Sequence, residues 1–376
     1  MMPGIYIHIP FCKKACHYCD FHFSTNLKRR GEMLEALQRE IWLRRDYLGG
    51  EELATIYIGG GTPSLLSPAE LSALLETIGK FHPLAPSCEI TLEANPDDLE
   101  TANLAELRKT GINRLSIGVQ SFFDEDLRWM NRAHTAAGAL ESIRRARNAG
   151  FDNLTADLIY GFPLLSDLKW LENIRTAIDL GIEHLSCYNL TVEEGTALSS
   201  FIKKGQEQNP SGEQGARQFE LLMDETARNG FLHYEISNFC RPGFHSRHNT
   251  AYWQEKAYLG IGPSAHSYNG RSRSWNKSNN YAYIQAIGLD ELPSGEESLT
   301  VNDRVNERIM TQLRTMWGLD LEKIAEDFGN EVLSELQAAA GEYTGKGWAE
   351  EKGGKLYLTR KGKLYADSII SGLFLV

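Results

Sequence analysis

Between residues 4 and about 192, the chain alternates short apolar runs with longer segments of helical periodicity. The strand-like runs are 4–10, 55–61, 89–95, 114–122, 153–163 and 184–192. The helical segments between them are 32–48, 68–81, 101–110, 136–149 and 168–180. Strands that alternate with helices predict an α/β fold with a parallel sheet and right-handed crossovers. Periodicity leaves open whether the sheet is flat or curls into a barrel, and six units would make an incomplete barrel.

The pattern changes after the sixth strand. Residues 193–216 are polar and glycine-containing, which predicts a linker, and a helix is expected to run from there to about residue 229. From about residue 300, helical segments precede a predicted hairpin at 348–358, turned at Gly353-Gly354, and Thr359 is expected to cap a final helix. The predicted helices are 303–316, 321–328 and 332–343. Helices followed by a hairpin resemble a small winged-helix module.

Composition narrows the classes of partner. The net charge of −11 argues against nucleic acid or an anionic membrane surface as a general partner. Residues 301–376 carry 12 acidic and 10 basic side chains, so the winged-helix-like module is not expected to bind DNA. No run reaches the roughly 18 apolar residues that span a bilayer, and no secretory signal is visible. With reduced cysteines besides, we expect a cytoplasmic protein.

Three cysteines follow the first predicted strand. Cys12, Cys16 and Cys19 form a C-x3-C-x2-C motif on a loop at a strand end. Three thiolates are one too few for a closed zinc site, but they suit a cubane iron–sulfur cluster with one iron left open to a small molecule. Buried thiols without a metal are one alternative. Zinc is the other, with a fourth ligand from His17, His22 or Asp20.

Polar residues recur at the ends of the following strands. The second strand ends in Gly59-Gly60-Gly61-Thr62-Pro63, which lacks the Gly-Lys-Ser/Thr ending of a phosphate loop. Later strands end near Glu93, Gln120 and Asp157. Each could cap its own strand, but a buried carboxylate needs a partner. Their recurrence at successive strands therefore favours one shared ligand.

These motifs together resemble the radical S-adenosylmethionine (SAM) family. More narrowly, four segments resemble the oxygen-independent coproporphyrinogen III dehydrogenase (oxidase) family and its haem-chaperone branch. They are Tyr6-Ile-His-Ile-Pro-Phe-Cys12, Gly118-Val-Gln-Ser-Phe122, Asn131-Arg-Ala-His134 and Asp157-Leu-Ile-Tyr-Gly-Phe-Pro163. The resemblance implies a partial (β/α)6 barrel with a winged-helix-like C-terminal domain. We expect residues 1–195 to form the radical SAM core, 196–295 to extend the barrel, and 296–376 to form the last domain.

The resemblance also implies site residues. Cys12, Cys16 and Cys19 would hold a [4Fe–4S] cluster whose open iron is chelated by SAM. The residues implied to contact SAM are Tyr6, Gly60, Gly61, Thr62, Glu93, Gln120, Arg132 and Asp157. Within that set, Glu93 would bind the amino group of SAM and Arg132 would pair with its carboxylate. Gln120 and Asp157 would contact the ribose. In the family, an electron from the cluster cleaves SAM to a 5′-deoxyadenosyl radical.

Two departures separate the chain from the dehydrogenase and match the haem-chaperone branch. Phe21 stands where the dehydrogenase motif has a fourth cysteine, and only eleven residues precede Cys12. In addition, His248-Asn249-Thr-Ala-Tyr252-Trp253 resembles the haem-binding segment of that branch. Imidazole is a good ligand for haem iron, and the two aromatic rings can stack on a porphyrin. The alternative is that His248 caps a loop and Trp253 fills a core.

The segment around these residues is basic. Residues 241–277 contain six basic side chains and one acid, Glu255, which indicates either a solvated surface loop or, in a chain of net charge −11, a segment that meets an acidic ligand. Arg241 and Arg247 are the residues predicted to pair with haem propionates.

The resemblance thus implies a haem chaperone that binds a [4Fe–4S] cluster, SAM and haem. It implies delivery of haem to haem-requiring proteins, with membrane respiratory enzymes as the proposed recipients. The first alternative is the coproporphyrinogen III dehydrogenase, and the second is a radical SAM enzyme with another substrate. Whether the chain is an enzyme that cleaves SAM, which group ligates the haem iron and whether the chain forms a homodimer stay open.

Overall fold

In the computed structural model, which describes residues 2–101 and 103–375, the first half of the chain forms six parallel strands in chain order. These strands, β1–β6, are Gly4–Ile9, Leu53–Gly60, Leu84–Ala94, Arg114–Gln120, Leu154–Tyr160 and His184–Asn189. The helices between them, α1–α7, are Arg30–Leu43, Pro68–Phe81, Pro96–Thr101, Leu104–Lys109, Asp124–Trp129, Ala136–Asn148 and Asp167–Asp179. The predicted α/β fold is confirmed.

The helices differ from prediction where local chemistry interrupts them. The segment predicted as 32–48 stops at Leu43 and continues as turns to Gly49 and Gly50, both at positive φ. The segment predicted as 101–110 is α4 alone, preceded by α3, and residue 102 of that segment lies outside the described residues. Helix α5 was not predicted because six residues are too few to show helical periodicity.

The sheet extends well beyond these six strands. Six further strands, β7–β12, are Leu232–Glu235, Asn238–Cys240, Tyr258–Ile261, His266–Tyr268, Ser272–Asn276 and Ser294–Ser298. The helices of this region, α8–α11, are Ala197–Lys203, Gly212–Arg228, Arg247–Trp253 and Asn280–Gly288. The complete order is β12-β11-β10-β9-β1-β2-β3-β4-β5-β6-β8-β7.

Two predictions for this region were wrong. The predicted linker 193–216 contains α8, and the segment 241–277, expected to be irregular, contributes α10 and three strands. Strands of three to five residues are too short to reveal an alternating pattern. One of them, β9, pairs in parallel with β1, with Tyr258 opposite Gly4. Strand β1 therefore lies inside the sheet and not at its edge.

The sheet is concave around a cavity. Inward-facing residues of β4 alternate along the strand, at Arg114, Ser116, Gly118 and Gln120, and they share this cavity with residues of β2, β3, β5 and β6. The sheet order is linear from β12 to β7, so hydrogen bonds within the described residues leave the barrel incomplete. The predicted partial barrel is confirmed, and its opening gives a ligand access.

The C-terminal module has a hydrophobic core of its own, from Val305 to Leu373. Its strands β13–β15 are Leu319–Asp320, Ala349–Lys352 and Lys355–Leu358, and its helices α12–α16 are Val301–Leu313, Leu321–Phe328, Asn330–Gly345, Arg360–Lys363 and Ala366–Gly372. Its hairpin turns at Gly353 and Gly354, both at positive φ, as predicted. Thr359 caps only the short α15, because the final helix is divided. No described helix could cross a bilayer.

Gly61 packs where the loop after β2 crosses the end of β1. A Cβ at this position would lie 2.5 Å from the carbonyl oxygen of Phe11 and 2.8 Å from that of Ile9. Both contacts are with backbone, which cannot move aside as a flexible side chain can. The glycine is therefore required by the approach of two chain segments.

We expect Gly61→Ala to lower the free energy of unfolding by about 1–3 kcal/mol, the usual cost of overpacking. Gly79→Ala is the matched control, because a Cβ there meets nothing within 4 Å and lies in α2. Alanine should stabilise that helix by about 0.5–1 kcal/mol. Urea unfolding measures both variants. An unchanged midpoint for Gly61→Ala would contradict the packing argument.

Candidate functional site

The first cavity lies inside the concave sheet, has a volume of about 410 Å³ and opens beside the cysteine loop. Five neighbouring strands and the loops that follow them form its wall. All the predicted cluster and SAM residues except Tyr6 contribute to it: Cys12, Cys16, Cys19, Gly60, Gly61, Thr62, Glu93, Gln120, Arg132 and Asp157. The fold thus brings together residues that are up to 145 positions apart in the chain.

The cysteine loop is fixed at its base. The backbone N–H of Cys12 donates to Ser24 O at 3.1 Å, and that of Ser24 donates to Pro10 O at 2.9 Å. The Thr62 hydroxyl donates to Cys12 Sγ at 3.4 Å. Burial raises the pKa of Cys19 to about 12 and also raises the pKa of Cys12. Metal ligation requires thiolates, so a positively charged group is needed to hold these cysteines deprotonated.

No three described His, Cys, Asp or Glu side chains are gathered closely enough to hold a single ion. A cubane cluster is larger than one ion, and its three thiolates can be spread around it. Zinc would need a fourth ligand, but His17 Nδ1 bonds the carbonyl of Trp129 at 2.8 Å. His22 Nε2 bonds Asn280 Oδ1 at 2.7 Å, and neither histidine lines the first cavity. Asp20 does line the cavity, but it and the cysteines are not gathered around one ion in the described residues, so the donor set favours the cluster.

Glu93 is held at the end of β3 by the glycine loop. Tyr57 donates its hydroxyl to Glu93 Oε1 at 2.9 Å, and the N–H of Gly60 donates to Oε2 at 3.1 Å. Gly60 has φ +106, and a Cβ there would lie 2.5 Å from His8 Nδ1. Glycine at this position therefore serves the close approach of the chain to itself.

Two half-buried carboxyl groups, those of Glu93 and Asp157, line this cavity and form no ion pair with any cation in the described part of the chain. Burial, and to a smaller extent the charge of Asp157, raises the pKa of Glu93 to about 7. Burial raises the pKa of Asp157 to about 6, although the hydroxyls of Ser186 and Ser116 counteract it. A ligand with an ammonium or sulfonium group would supply the missing positive charge. SAM carries both, so these residues fit it.

The Arg132 side chain hydrogen-bonds to the cysteine loop. One of its nitrogens, Nη2, donates to Asn95 Oδ1 at 2.6 Å and to Gly118 O at 2.7 Å, and Nη1 donates to Cys16 Sγ at 3.4 Å. Its Nε is buried and has no hydrogen-bond partner among the described residues. A carboxylate fits this arrangement, because it could accept from a guanidinium that neutral groups satisfy only in part.

Sequence reasoning missed Asn95, which links two predicted residues. Its side chain accepts from Arg132 and donates to Thr62 Oγ1 at 3.3 Å. Its position two residues after Glu93, at the same strand end, is the signal that could have found it. Gln120 shows a different feature, a φ of +66 at an irregularity in the pairing of β4 with β5. Such strain in a residue other than glycine is concentrated at functional sites.

The second cavity adjoins the first and has a volume of about 690 Å³. Its wall includes the predicted haem residues His248, Asn249, Tyr252 and Trp253, and also Tyr6. Tyr6, expected beside SAM, thus faces this second space and not the first. Four residues belong to both walls: Asp20, Phe21, Tyr188 and Asn249. Phe21, which stands in place of a fourth cysteine, lies between the two cavities, and its side chain is 68 % exposed.

His248 lies in the first turn of α10. The side chain that caps this helix is Ser246, which accepts from the N–H of Asn249, so His248 does not cap the loop. Its Nδ1 bonds Thr55 Oγ1 at 2.8 Å, while Nε2 has no hydrogen bond with the part of the chain described. Burial, followed by the charge of Arg114, lowers the pKa of His248 to about 4. A neutral imidazole with one nitrogen fixed and the other open is suited to ligate a metal.

The aromatic residues of α10 border the same space. Tyr252 and Trp253 meet edge to face, with ring centroids 5.0 Å apart. Trp253 is therefore not simply a core residue, because it lines the second cavity.

Comparison with known proteins gives two family matches. Residues 6–177 match the Radical SAM superfamily, and residues 299–365 match the HemN C-terminal domain. The heme chaperone HemW of Bacillus subtilis is 36 % identical over 100 % of this chain and 99 % of its own length. HemW of Mycobacterium tuberculosis (strain ATCC 25618 / H37Rv) is 34 % identical over 98 % of this chain and 94 % of its own length.

A solved structure shares the fold over nearly the whole chain. Coproporphyrinogen III oxidase (HemN) from Escherichia coli superposes with a TM-score of 0.84 over 99 % of this chain and 90 % of that chain. The two are 24 % identical, so this likeness supports the architecture alone.

The raised pKa of Glu93 predicts that this residue destabilises the protein free of cluster and SAM. Folded protein keeps the proton up to about pH 7, whereas the unfolded chain releases it near its ordinary pKa of about 4.5. Stability is therefore lost as pH rises through this window. We expect Glu93→Gln to raise the free energy of unfolding by about 1–3 kcal/mol at about pH 8, with the gain shrinking towards about pH 4.5.

Urea unfolding at both pH values measures this effect. Glu141→Gln, an exposed substitution on α6, is the control and should change little at either pH. A Glu93→Gln variant less stable than the unaltered protein at about pH 8 would refute the electrostatic argument.

Proposed function

This chain belongs to the HemW family of radical SAM proteins, and on that premise we propose that it is a haem chaperone. It binds a [4Fe–4S] cluster and SAM in the first cavity and haem in the second. It then passes haem to haem-requiring proteins in the cytoplasm or at the inner face of a membrane. The observation that carries the proposal is that the two cavities adjoin and share the wall residues Asp20, Phe21, Tyr188 and Asn249. The first cavity is lined by the three cysteines, and the second by His248 and aromatic rings.

Cys12, Cys16 and Cys19 would hold the cluster, and Arg132 would offset part of its negative charge. When bound, the cluster would supply the electron for reductive cleavage of SAM. Glu93 would accept from the SAM amino group, and the Nε of Arg132, unpaired among the described residues, would donate to its carboxylate. Asp157 and Gln120 would face the ribose, and Thr62 would support both Cys12 and the ligand.

His248 would ligate the haem iron through Nε2, because Nδ1 is occupied by Thr55. Tyr252 and Trp253 would border the porphyrin, and Asn249 would stand between the two ligands. The aromatic and histidine lining of the second cavity suits a flat, mostly apolar ring better than it suits a small polar metabolite.

Phe21 supports a carrier over the coproporphyrinogen III dehydrogenase. The dehydrogenase has a cysteine at this point of its motif, and here an exposed phenyl ring lies between the two cavities. The recipients proposed are membrane respiratory enzymes.

The cluster assignment predicts a specific loss. Each of Cys12→Ser, Cys16→Ser and Cys19→Ser should abolish the charge-transfer absorption and lower the iron content after anaerobic reconstitution. Cys88→Ser is the control, since Cys88 is buried and borders neither cavity. Retention of the cluster by any of the three variants would remove that cysteine from the ligand set.

The haem assignment predicts a saturable shift of the Soret band on titration. His248→Ala should weaken haem binding at least about tenfold, which is roughly the loss of one metal ligand bond partly replaced by water. His245→Ala is the matched control, because His245 contacts Tyr234 and Trp317 and lies outside the second cavity. Absence of a saturable shift in the unaltered protein would reject the haem role.

A parallel assay tests the alternative enzyme. The reconstituted protein is incubated anaerobically with coproporphyrinogen III, SAM and a reductant, and products are separated by chromatography. We expect no protoporphyrinogen IX above the level formed without protein. Decarboxylation of coproporphyrinogen III to protoporphyrinogen IX would refute the proposal that the chain is only a carrier.

A further inference from the structure

The wall of the second cavity contains two basic side chains, Lys256 and Arg314. Arg241 and Arg247, which the sequence predicted for haem propionates, lie elsewhere. Arg241 donates to Asn229 O and sits over the ring of Phe231, and the guanidinium of Arg247 donates to the carbonyl of Ser87. The lysine and arginine side chains of this wall that could meet an acidic ligand are therefore Lys256 and Arg314.

Arg314 is already neutralised. Its Nε pairs with Glu235 at 3.1 Å, and its Nη1 pairs with Asp367 at 2.6 Å. Lys256 forms no ion pair within residues 2–101 and 103–375. The remaining acid in the wall is Asp20, which is exposed and, like Phe21, borders both cavities. Of these two basic side chains, Lys256 is therefore the one that forms no ion pair in the described part of the chain.

A second donor lies close to Lys256 in the chain. Trp253 Nε1 is buried and has no hydrogen-bond partner among the described residues, although Trp253 lines the cavity. Buried indole N–H groups in proteins are normally paired, so an unpaired one beside a cavity indicates an acceptor that is supplied by a ligand. A carboxylate on the ligand would accept from both an ammonium and an N–H.

The turn that carries these residues is held in place from outside the barrel. Helix α10 ends at Trp253 and is followed by Glu255 at φ +56, and the N–H of Lys256 donates back to Ala251 O at 3.0 Å. This is the hydrogen bond of a Schellman ending, in which glycine normally occupies the left-handed position. Here the Glu255 carboxylate accepts from Arg308 at 3.1 Å and from Gln312 at 3.2 Å, both on α12. The C-terminal module thus fixes where Lys256 emerges.

We propose that Lys256 and the indole N–H of Trp253 together bind one carboxylate of the ligand in the second cavity, which for haem is a propionate. This inference rests on the proposed function. It assigns Lys256 as the residue by which the cavity selects porphyrins that carry ionised side chains. It also assigns Trp253 as a hydrogen-bond donor to the ligand, in addition to its place in the cavity wall.

The test compares two iron porphyrins that differ in these side chains. Haem carries propionates, and iron etioporphyrin carries alkyl groups in their place. Each is titrated into the full-length, cluster-reconstituted protein and followed by the Soret band. The variants are Lys256→Met, Lys256→Arg and Trp253→Phe, the last of which keeps an aromatic ring and removes the N–H. Lys277→Met, an exposed lysine outside the cavity, is the control.

We expect Lys256→Met to weaken haem binding about tenfold, as for one charge-assisted hydrogen bond in a partly buried site. Trp253→Phe should weaken haem binding about threefold more than it weakens binding of iron etioporphyrin, whose affinity Lys256→Met should leave unchanged. Lys256→Arg should retain the preference for haem, and Lys277→Met should match the unaltered protein.

Equal losses for both porphyrins would overturn the inference, because they would indicate a packing role. Unchanged haem affinity in Lys256→Met would overturn it as well. If the unaltered protein binds neither porphyrin, the proposed function itself fails. If it binds both equally well, the haem role stands and the carboxylate site is refuted.

Discussion

The pairing of β1 with β2 on one side and with β9 on the other is the contact on which both cavities depend. It brings Gly4 opposite both Thr55 and Tyr258, so β1 lies near the middle of a continuous sheet. Its isoleucines are buried against the helices, while Tyr6 faces the second cavity. The loop that leaves the end of β1 then carries the cysteines into the first cavity. A single strand therefore positions the two candidate sites next to each other.

Charge inside the barrel is arranged for an occupant and not for the stability of the empty protein. Burial raises the pKa values of Glu93 and Asp157, and Arg132 keeps a buried nitrogen without a partner in the described structure. Each of these features costs free energy until a ligand of complementary charge arrives. The hydrogen bonds that hold them, from Tyr57, Gly60 and Asn95, preserve their geometry in the meantime. These residues therefore lower the stability of the empty protein at the place where they would bind a ligand.

The sequence was sufficient to predict two kinds of feature: strands, from apolar runs that recur at regular intervals, and site residues, from polar side chains that interrupt such runs. Strands β1–β6 were predicted because apolar runs recur at regular intervals, and Glu93 and Asp157 because each is a polar residue in such a run. Strand β9 and helix α5 are too short to show a period. The placement of Tyr6 depends on pairing with β9, a strand about 250 residues later in the chain, which no local pattern encodes. Lys256 could not be singled out among six basic residues, because only tertiary structure shows which of them are already paired.

The turn after α10 ties the second cavity to the C-terminal module, since Glu255 is bonded to α12 and Arg314 contributes to the wall. This has a consequence for the order of events during synthesis. The wall of the first cavity ends in the chain at Asn249 and the strand β9 that pairs with β1 ends at Ile261, whereas the wall of the second cavity waits for Arg314. Chains fold from the N-terminus as they emerge. The wall of the first cavity can therefore form on a nascent chain before the wall of the second cavity is complete.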